Sequence, residues 1–221
     1  MLTLEHVSKK YKEQRVLQDI NFSLDEKEFI SIIGKSGVGK TTLLSIMAGL
    51  ISPDGGKIVF SGKDITEFSE EQLAEFRLNN IGIVFQDFKL IASLSVFDNI
   101  LLAIHPRRDI DREEKKRRIL DLIEQVGLMG KQNSTVNNLS GGEMQRVAIA
   151  RSLVNQPKVI LADEPTGNLD ENTSGQILDL FKELHTRLST TFIIVTHEKD
   201  IAKKTQKTYQ LSQDGLRHIV L

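Results

Sequence analysis

Cysteine is absent from the 221-residue chain, which excludes a disulfide frame and any site built on thiolate ligands. An excess of one charge is missing too. Lys plus Arg number 29 against 30 Asp plus Glu, for a net charge of −1, so no polycation signature calls for nucleic acid as a partner. No apolar run approaches the ~20 residues needed to cross a bilayer. The opening Met1-Leu2-Thr3-Leu4-Glu5-His6 lacks a basic segment followed by an apolar one. A soluble, intracellular chain is expected, with any membrane role coming through a partner. Internal repeats and low-complexity segments are also lacking. A chain of this length is most simply one domain, 1–221, with an adequate core.

What is present is organised around Glu28 to Leu50. The apolar run Phe29 to Ile33 ends at Gly34. Gly34-Lys35-Ser36-Gly37-Val38-Gly39-Lys40-Thr41 then fits G-x-x-x-x-G-K-[ST], and a helical stripe of Leu43, Met47 and Leu50 follows. Glycines let the backbone curl so that successive N–H groups point into one hollow, and the positive end of the following helix adds to the attraction for an anion. Lys40 supplies a point charge able to reach β- and γ-phosphates, and the Thr41 hydroxyl is a hard oxygen ligand suited to Mg²⁺. A nucleoside triphosphate with Mg²⁺ is the expected ligand.

Before the loop, Leu2 to Val7 and then Ile20, Phe22 and Leu24 alternate apolar with polar, as half-buried strands do. A polar turn from Lys9 to Gln14, carrying Tyr11, is expected to join them. Pro53-Asp54-Gly55-Gly56 signals a turn before a brief strand at Lys57 to Phe60, so an antiparallel portion surrounds the loop. Ser69-x-x-Gln72 reads as a capping box opening a helix to about Leu78, and Ile81 to Phe85 as a strand ending at Gln86. Ser95-x-x-Asp98 opens another helix. From Asp111 the helix REEKKRRILDLIEQVG buries Ile119, Leu122, Ile123 and Val126 and stops at Gly127. A helix from Glu143 to about Asn155 is stopped by Pro157. The strand Val159 to Ala162, a helix marked by Ile177, Phe181, Leu184 and Leu188, and the strand Phe192 to Val195 then alternate, which implies a parallel sheet with packed helices. Thr208 to Leu211 and Leu216 to Val220 read as a closing hairpin.

Ligands collect at the carboxyl ends of strands in open parallel sheets. Gly34, Gln86, Asp163 and His197 each follow an apolar run, so four motifs converge on one edge. Asp163 is placed to hold Mg²⁺ through water, and Glu164 to polarise an attacking water. Ser140-Gly141-Gly142 at a helix start makes a second anion site. One nucleotide does not need both sites from a single chain, so a two-fold dimer is expected, with one chain's phosphate loop facing the other's Ser-Gly-Gly helix. Between Gln86 and Ile104 the chain is apolar where a loop would usually be polar. Phe88, Leu90, Ile91 and Leu94 are therefore candidates for a partner surface, or else pack under the helices.

Gly34 to Thr42, Gln86, Leu139 to Arg151 (LSGGEMQRVAIAR), Val159 to Asp170 (VILADEPTGNLD) and His197 together resemble the ATP-binding subunit of an ABC transporter, in order and over essentially the whole chain. The most specific element is Leu139 to Arg146, the signature of that family. The resemblance implies an α/β fold with a P-loop NTPase core on a parallel sheet, an antiparallel β subdomain and a helical signature subdomain at about 87–157. It implies an ATPase using ATP and Mg²⁺. Tyr11 would stack on adenine, residues Gly34 to Thr42 would hold the phosphates, and Thr41, Gln86 and Asp163 would serve the metal. Glu164 would be the catalytic base and His197 the γ-phosphate contact. Asp170 would cross the dimer, and Ser140, Gly141 and Gly142 would meet the ATP of the opposite subunit. The implied partners are a second copy of the chain and an integral membrane permease, which would hold it on the cytoplasmic face of the membrane; no nucleic acid is implied. Lys35, Val38 and Thr41 depart slightly from the commoner residues, within the loop pattern. The wording DEPTGNLD with FQDFKLIASLSVFDNI is similar to the subgroup for lipoprotein release, macrolide export and peptide resistance, and the end at Leu221 agrees with it. The cell-division ATPase of the same subgroup offers the alternative of an ATP-regulated assembly factor.

Overall fold

The computed structural model describes residues 1–221. Strands β1 (Leu2–Tyr11) and β2 (Gln14–Leu24) form a hairpin whose inward positions Leu2, Leu4, Val7, Ile20, Phe22 and Leu24 are all buried. The ladder runs from Leu2 against Leu24 to Tyr11 against Gln14. Tyr11 is therefore the last residue of a strand, and the turn shrinks to Lys12 and Glu13 rather than starting at Lys9. Cross-strand bonds persist there although the apolar alternation has stopped. With β4 (Gly55–Phe60) and β5 (Lys63–Asp64) these strands make an antiparallel sheet of order β2-β1-β4-β5.

The second sheet takes β3 (Phe29–Ile33), β6 (Ile81–Val84), β7 (Val159–Asp163), β8 (Thr191–Thr196), β9 (Lys207–Ser212) and β10 (Gly215–Ile219). Their order is β10-β9-β3-β8-β7-β6, parallel except for the antiparallel edge strand β10. Every residue of β3 and β8 is buried. Successive side chains go to opposite faces. Ile193 and Val195 join the core shared with the antiparallel sheet, while Phe192 and Ile194 join the core under the helices. Burial on both faces is why these strands read as unbroken apolar runs instead of alternating.

Helices α1 (Lys40–Met47), α2 (Glu70–Asn80), α3 (Val96–Ile104), α4 (Arg112–Gln125), α5 (Gly141–Leu153), α6 (Glu171–Leu188) and the short α7 (Lys199–Ala202) complete the chain. Ser69, Ser95, Asp111, Ser140 and Asp170 cap α2 to α6, each side chain accepting from the backbone N–H three residues on. In α5 the box closes between Ser140 and Glu143, so the helix opens at Gly141, two residues before Glu143. Helices α3, α4 and α5 fill the stretch between β6 and β7 and share a core with α6. No helix is long and apolar enough to cross a membrane.

Candidate nucleotide site

Strand β3 ends at Ile33 and α1 begins at Lys40, so the glycine loop spans the carboxyl edge of the parallel sheet between them. Five longer helices carry side-chain caps, but Gly39 offers none to α1. The first-turn N–H groups of α1 are thereby left for an external acceptor. Gly39 sits at φ 107°, and a Cβ there would stand 2.8 Å from Val16 Cγ1. That closeness lays the β1–β2 hairpin against the loop, with Tyr11 exposed near its tip. Within the loop Lys35 and Ser36 are exposed, Val38 is half-buried, and Thr41 and Thr42 open α1.

The Lys40 side chain is 6% exposed and its Nζ donates to the carbonyls of Gly34 (3.0 Å) and Lys35 (3.3 Å). Glu164 Oε1 lies 3.5 Å from the same Nζ, and Glu164 Oε2 is 2.6 Å from His197 Nδ1. Asp163 ends β7 beside the Thr41 side chain. Burial pushes the Asp163 carboxyl above its ordinary pKa, the neighbouring Thr41 hydroxyl pulls it down, and the charge of Glu164 pushes it up again. Its Oδ1 is buried without a partner. An orphaned carboxylate oxygen beside a hydroxyl is a donor set that fits a hard, oxygen-seeking cation such as Mg²⁺. Gln86 reaches this group through the loop after β7. Its carbonyl accepts from Asn168 Nδ2 at 2.9 Å, and its side chain lies against Gly167, where a Cβ would come within 3.0 Å of Nε2.

The remaining candidates form a second group. Ser140 caps α5, a Cβ on Gly142 would stand 2.6 Å from Thr173 Cγ2, and one on Gly141 would stand 3.2 Å from Leu169 Cδ2. Asp170 belongs here, not with the phosphate loop. It caps α6, with one oxygen on the Thr173 N–H (3.0 Å) and the other on its hydroxyl (2.6 Å). No hydrogen bond or ion pair between side chains joins this group to Gly34 to Thr42. Of the candidate partner-facing residues, Ile91 is 48% exposed, whereas Phe88, Leu90 and Leu94 are half-buried and Leu90 packs on the core. Sequence reading missed Gln145, which is fully buried with Nε2 on the Pro165 carbonyl at 2.6 Å. It also missed Asn168. A glutamine one turn into an otherwise apolar-facing helix was the available signal for the first. A cavity of about 490 Å³, lined among others by Lys27, Gln125, Lys158 and Thr191, lies at the opposite ends of β7 and β8 and is no part of this site.

The family described as ABC transporter matches residues 17–167. The ABC transporter ATP-binding protein YtrE of Bacillus subtilis (strain 168) is 39% identical over 224 residues, covering 98% of this chain and 96% of that protein. The lipoprotein-releasing system ATP-binding protein LolD of Bacteroides fragilis (strain YCH46) is 39% identical over 211 residues, covering 96% and 97%. Among solved structures, a dimeric post-hydrolysis state of the ATP-binding cassette MJ0796 bound to ADP and Pi superposes with a TM-score of 0.90 at 36% identity, over 99% of this chain and 98% of that one. The family model spans more than half of the chain and these proteins match it along almost their full length: the chain belongs to the ABC transporter family and is an ATP-binding, ATP-hydrolysing member of it.

Proposed function

We propose that two copies of the chain bind MgATP between them and drive a separate membrane subunit that exports or extracts a lipoprotein, peptide or drug. The observation that carries the dimer is the division of the candidates into two groups, each ending in a helix N-terminus with glycines. Lys40 with the α1 N-terminus holds the triphosphate from one side, and Ser140 to Gly142 of the other copy would meet it from the other. The dimeric MJ0796 cassette and the name of LolD support this reading.

Within each site, Tyr11 would cover the base, and Gly34 to Thr42 would hold the phosphates. Thr41, Asp163 and Gln86 would hold Mg²⁺ directly or through water, and the metal would neutralise charge on the phosphates. Glu164 would take the proton of the attacking water, oriented by His197 at 2.6 Å and tethered by Lys40. The whole chain, 1–221, acts as one ATPase domain, with about 87–157 as the helical part that faces the partner, held on the cytoplasmic face of the membrane by that partner.

Docking would centre on Ile91 and Leu102, 48% and 49% exposed, because large apolar side chains left in water on the stretch from Gln86 to Ile104 suit a partner helix. In cells that make the chain, an affinity-tagged form should co-purify with a multi-spanning membrane protein identifiable by mass spectrometry. Ile91→Asp with Leu102→Asp should abolish that capture while thermal midpoint and basal ATPase activity stay near those of the parent. Undiminished capture by the double variant would move the docking surface elsewhere.

A further inference from the structure

We propose that Arg151 is a positioning residue for the Gln86 loop: from the last turn of α5 its guanidinium holds the turn at Phe88 and Lys89 by which Gln86 is presented to the nucleotide. This rests on the reading of Gln86 just given. Phe88 and Lys89 have φ of 59° and 48° and are the only two consecutive non-glycine residues in the left-handed region. Bulky side chains disfavour that conformation, so the turn needs support from outside itself. Its internal bonds are short-range and largely wet. Phe88 N–H donates to Phe85 O at 3.1 Å, Lys89 N–H to Asp87 O at 2.6 Å, and Lys89 pairs with exposed Asp87.

Arg151 supplies the outside support. Its Nη1 donates to Lys89 O at 2.5 Å and its Nη2 to Phe88 O at 2.6 Å. Two successive left-handed residues turn their carbonyls the same way, and a planar fork of donors matches such a pair where a single ammonium does not. No carboxylate forms an ion pair with Arg151. Burial lowers its pKa with no opposing charge to offset it. A guanidinium drawn out of water to meet only carbonyls is costly unless its hydrogen bonds are used, and here they close on the turn.

The same helix holds the other side of the site. Gln145, one turn into α5, donates to the carbonyl of Pro165, the residue after Glu164. Gln145 and Arg151 are six positions apart, a separation of about 9 Å along the axis. Asn168 Nδ2 on the Gln86 carbonyl closes the ring. Helix α5 therefore grips the Glu164 loop near its start and the Gln86 loop near its end, and a displacement of its Ser140 end is passed to both.

Arg151→Met removes the fork without stranding a buried charge. In the full chain it should speed hydrogen exchange of backbone amides in 86–92 by about tenfold, with other segments unchanged. It should lower kcat of ATP hydrolysis by about ten- to a hundredfold and leave KM for ATP within about twofold. Glycine takes the left-handed conformation at no steric cost. Lys89→Gly added to Arg151→Met should therefore return most of the lost kcat and of the exchange protection, a rescue that a mere packing role for Arg151 does not allow. Unchanged exchange in 86–92, or no rescue, overturns the proposal. Should the Met variant fail to fold, Arg151→Lys with and without Lys89→Gly makes the same comparison. Gln86→Ala separates the two readings. If it hydrolyses normally, the role of Gln86 has failed and exchange with its rescue judges Arg151 alone; if it is crippled while Arg151→Met hydrolyses normally, the proposal for Arg151 has failed.

Discussion

Glu164→Gln keeps the length and shape of the side chain and removes its charge. Glu164 sits at φ 43°, so Gln inherits the same backbone cost, whereas Gly would relax it and confuse the result. The amide can still bond His197 Nδ1, now 2.6 Å from Oε2, so the histidine stays in place. What disappears is the proton acceptor. Loss of a general base lowers kcat by about 10²- to 10⁴-fold, a barrier increase of about 2.7–5.4 kcal/mol. Stability should fall by about 1–3 kcal/mol, because the substitution takes the charge from a carboxylate that lies 3.5 Å from the buried Lys40 ammonium and 2.6 Å from His197. ATP should bind at least as tightly, since a negative charge beside the γ-phosphate has gone and Lys40 is released from its carboxylate partner. With binding kept and turnover stopped, ATP-bound dimers accumulate. Size-exclusion chromatography with light scattering should show a dimer in MgATP and a monomer in MgADP. The reasoning is refuted if the variant hydrolyses ATP within about threefold of the parent, well inside the loss of a base, or if MgATP leaves it monomeric at saturating nucleotide.

Lys40→Ala strips the donor from the Gly34 and Lys35 carbonyls and the cation from Glu164, so the nucleotide-free chain should lose about 1–3 kcal/mol in urea unfolding. ATP binding, read by calorimetry, should weaken by about ten- to a hundredfold, the worth of a charged hydrogen bond to phosphate; unchanged affinity would remove this loop from the nucleotide site. Glu28 provides a pH test. Burial alone would raise its pKa, but the bonds from Lys207 and the Asp25 N–H outweigh burial and leave it below 4.5. A depressed carboxylate contributes stability that is complete above the unfolded pKa and is lost as pH falls through the folded one. Glu28→Gln should therefore be less stable than the parent at pH 7, with the gap closing below pH 4.5; a gap that persists in acid would assign the loss to packing instead.

Elements and chemistry that depend on near neighbours are legible in the chain. The capping box at Ser69, the helix starts at Asp111 and near Glu143 and the loop from Gly34 to Thr41 all act within a few residues, and each stands where the local pattern put it or within two positions of it. The apolar runs of β3, β7 and β8 likewise announced burial on both faces. Which distant groups meet is set by the assembled fold. The apolar runs already put Gly34, Gln86, Asp163 and His197 at one edge of the sheet, but the strand order β3-β8-β7 makes the Lys40 loop, His197 and the Glu164 loop neighbours there, and no local signal encodes strand neighbours. Tertiary contacts also buried Gln145 against Pro165 and separated exposed Ile91 from half-buried Leu90 and Leu94 in a stretch rich in apolar residues. The fork of Arg151 on Phe88 and Lys89 spans more than sixty residues. It exists because α5 packs beside β6, and that packing is a property of the assembled core rather than of either segment.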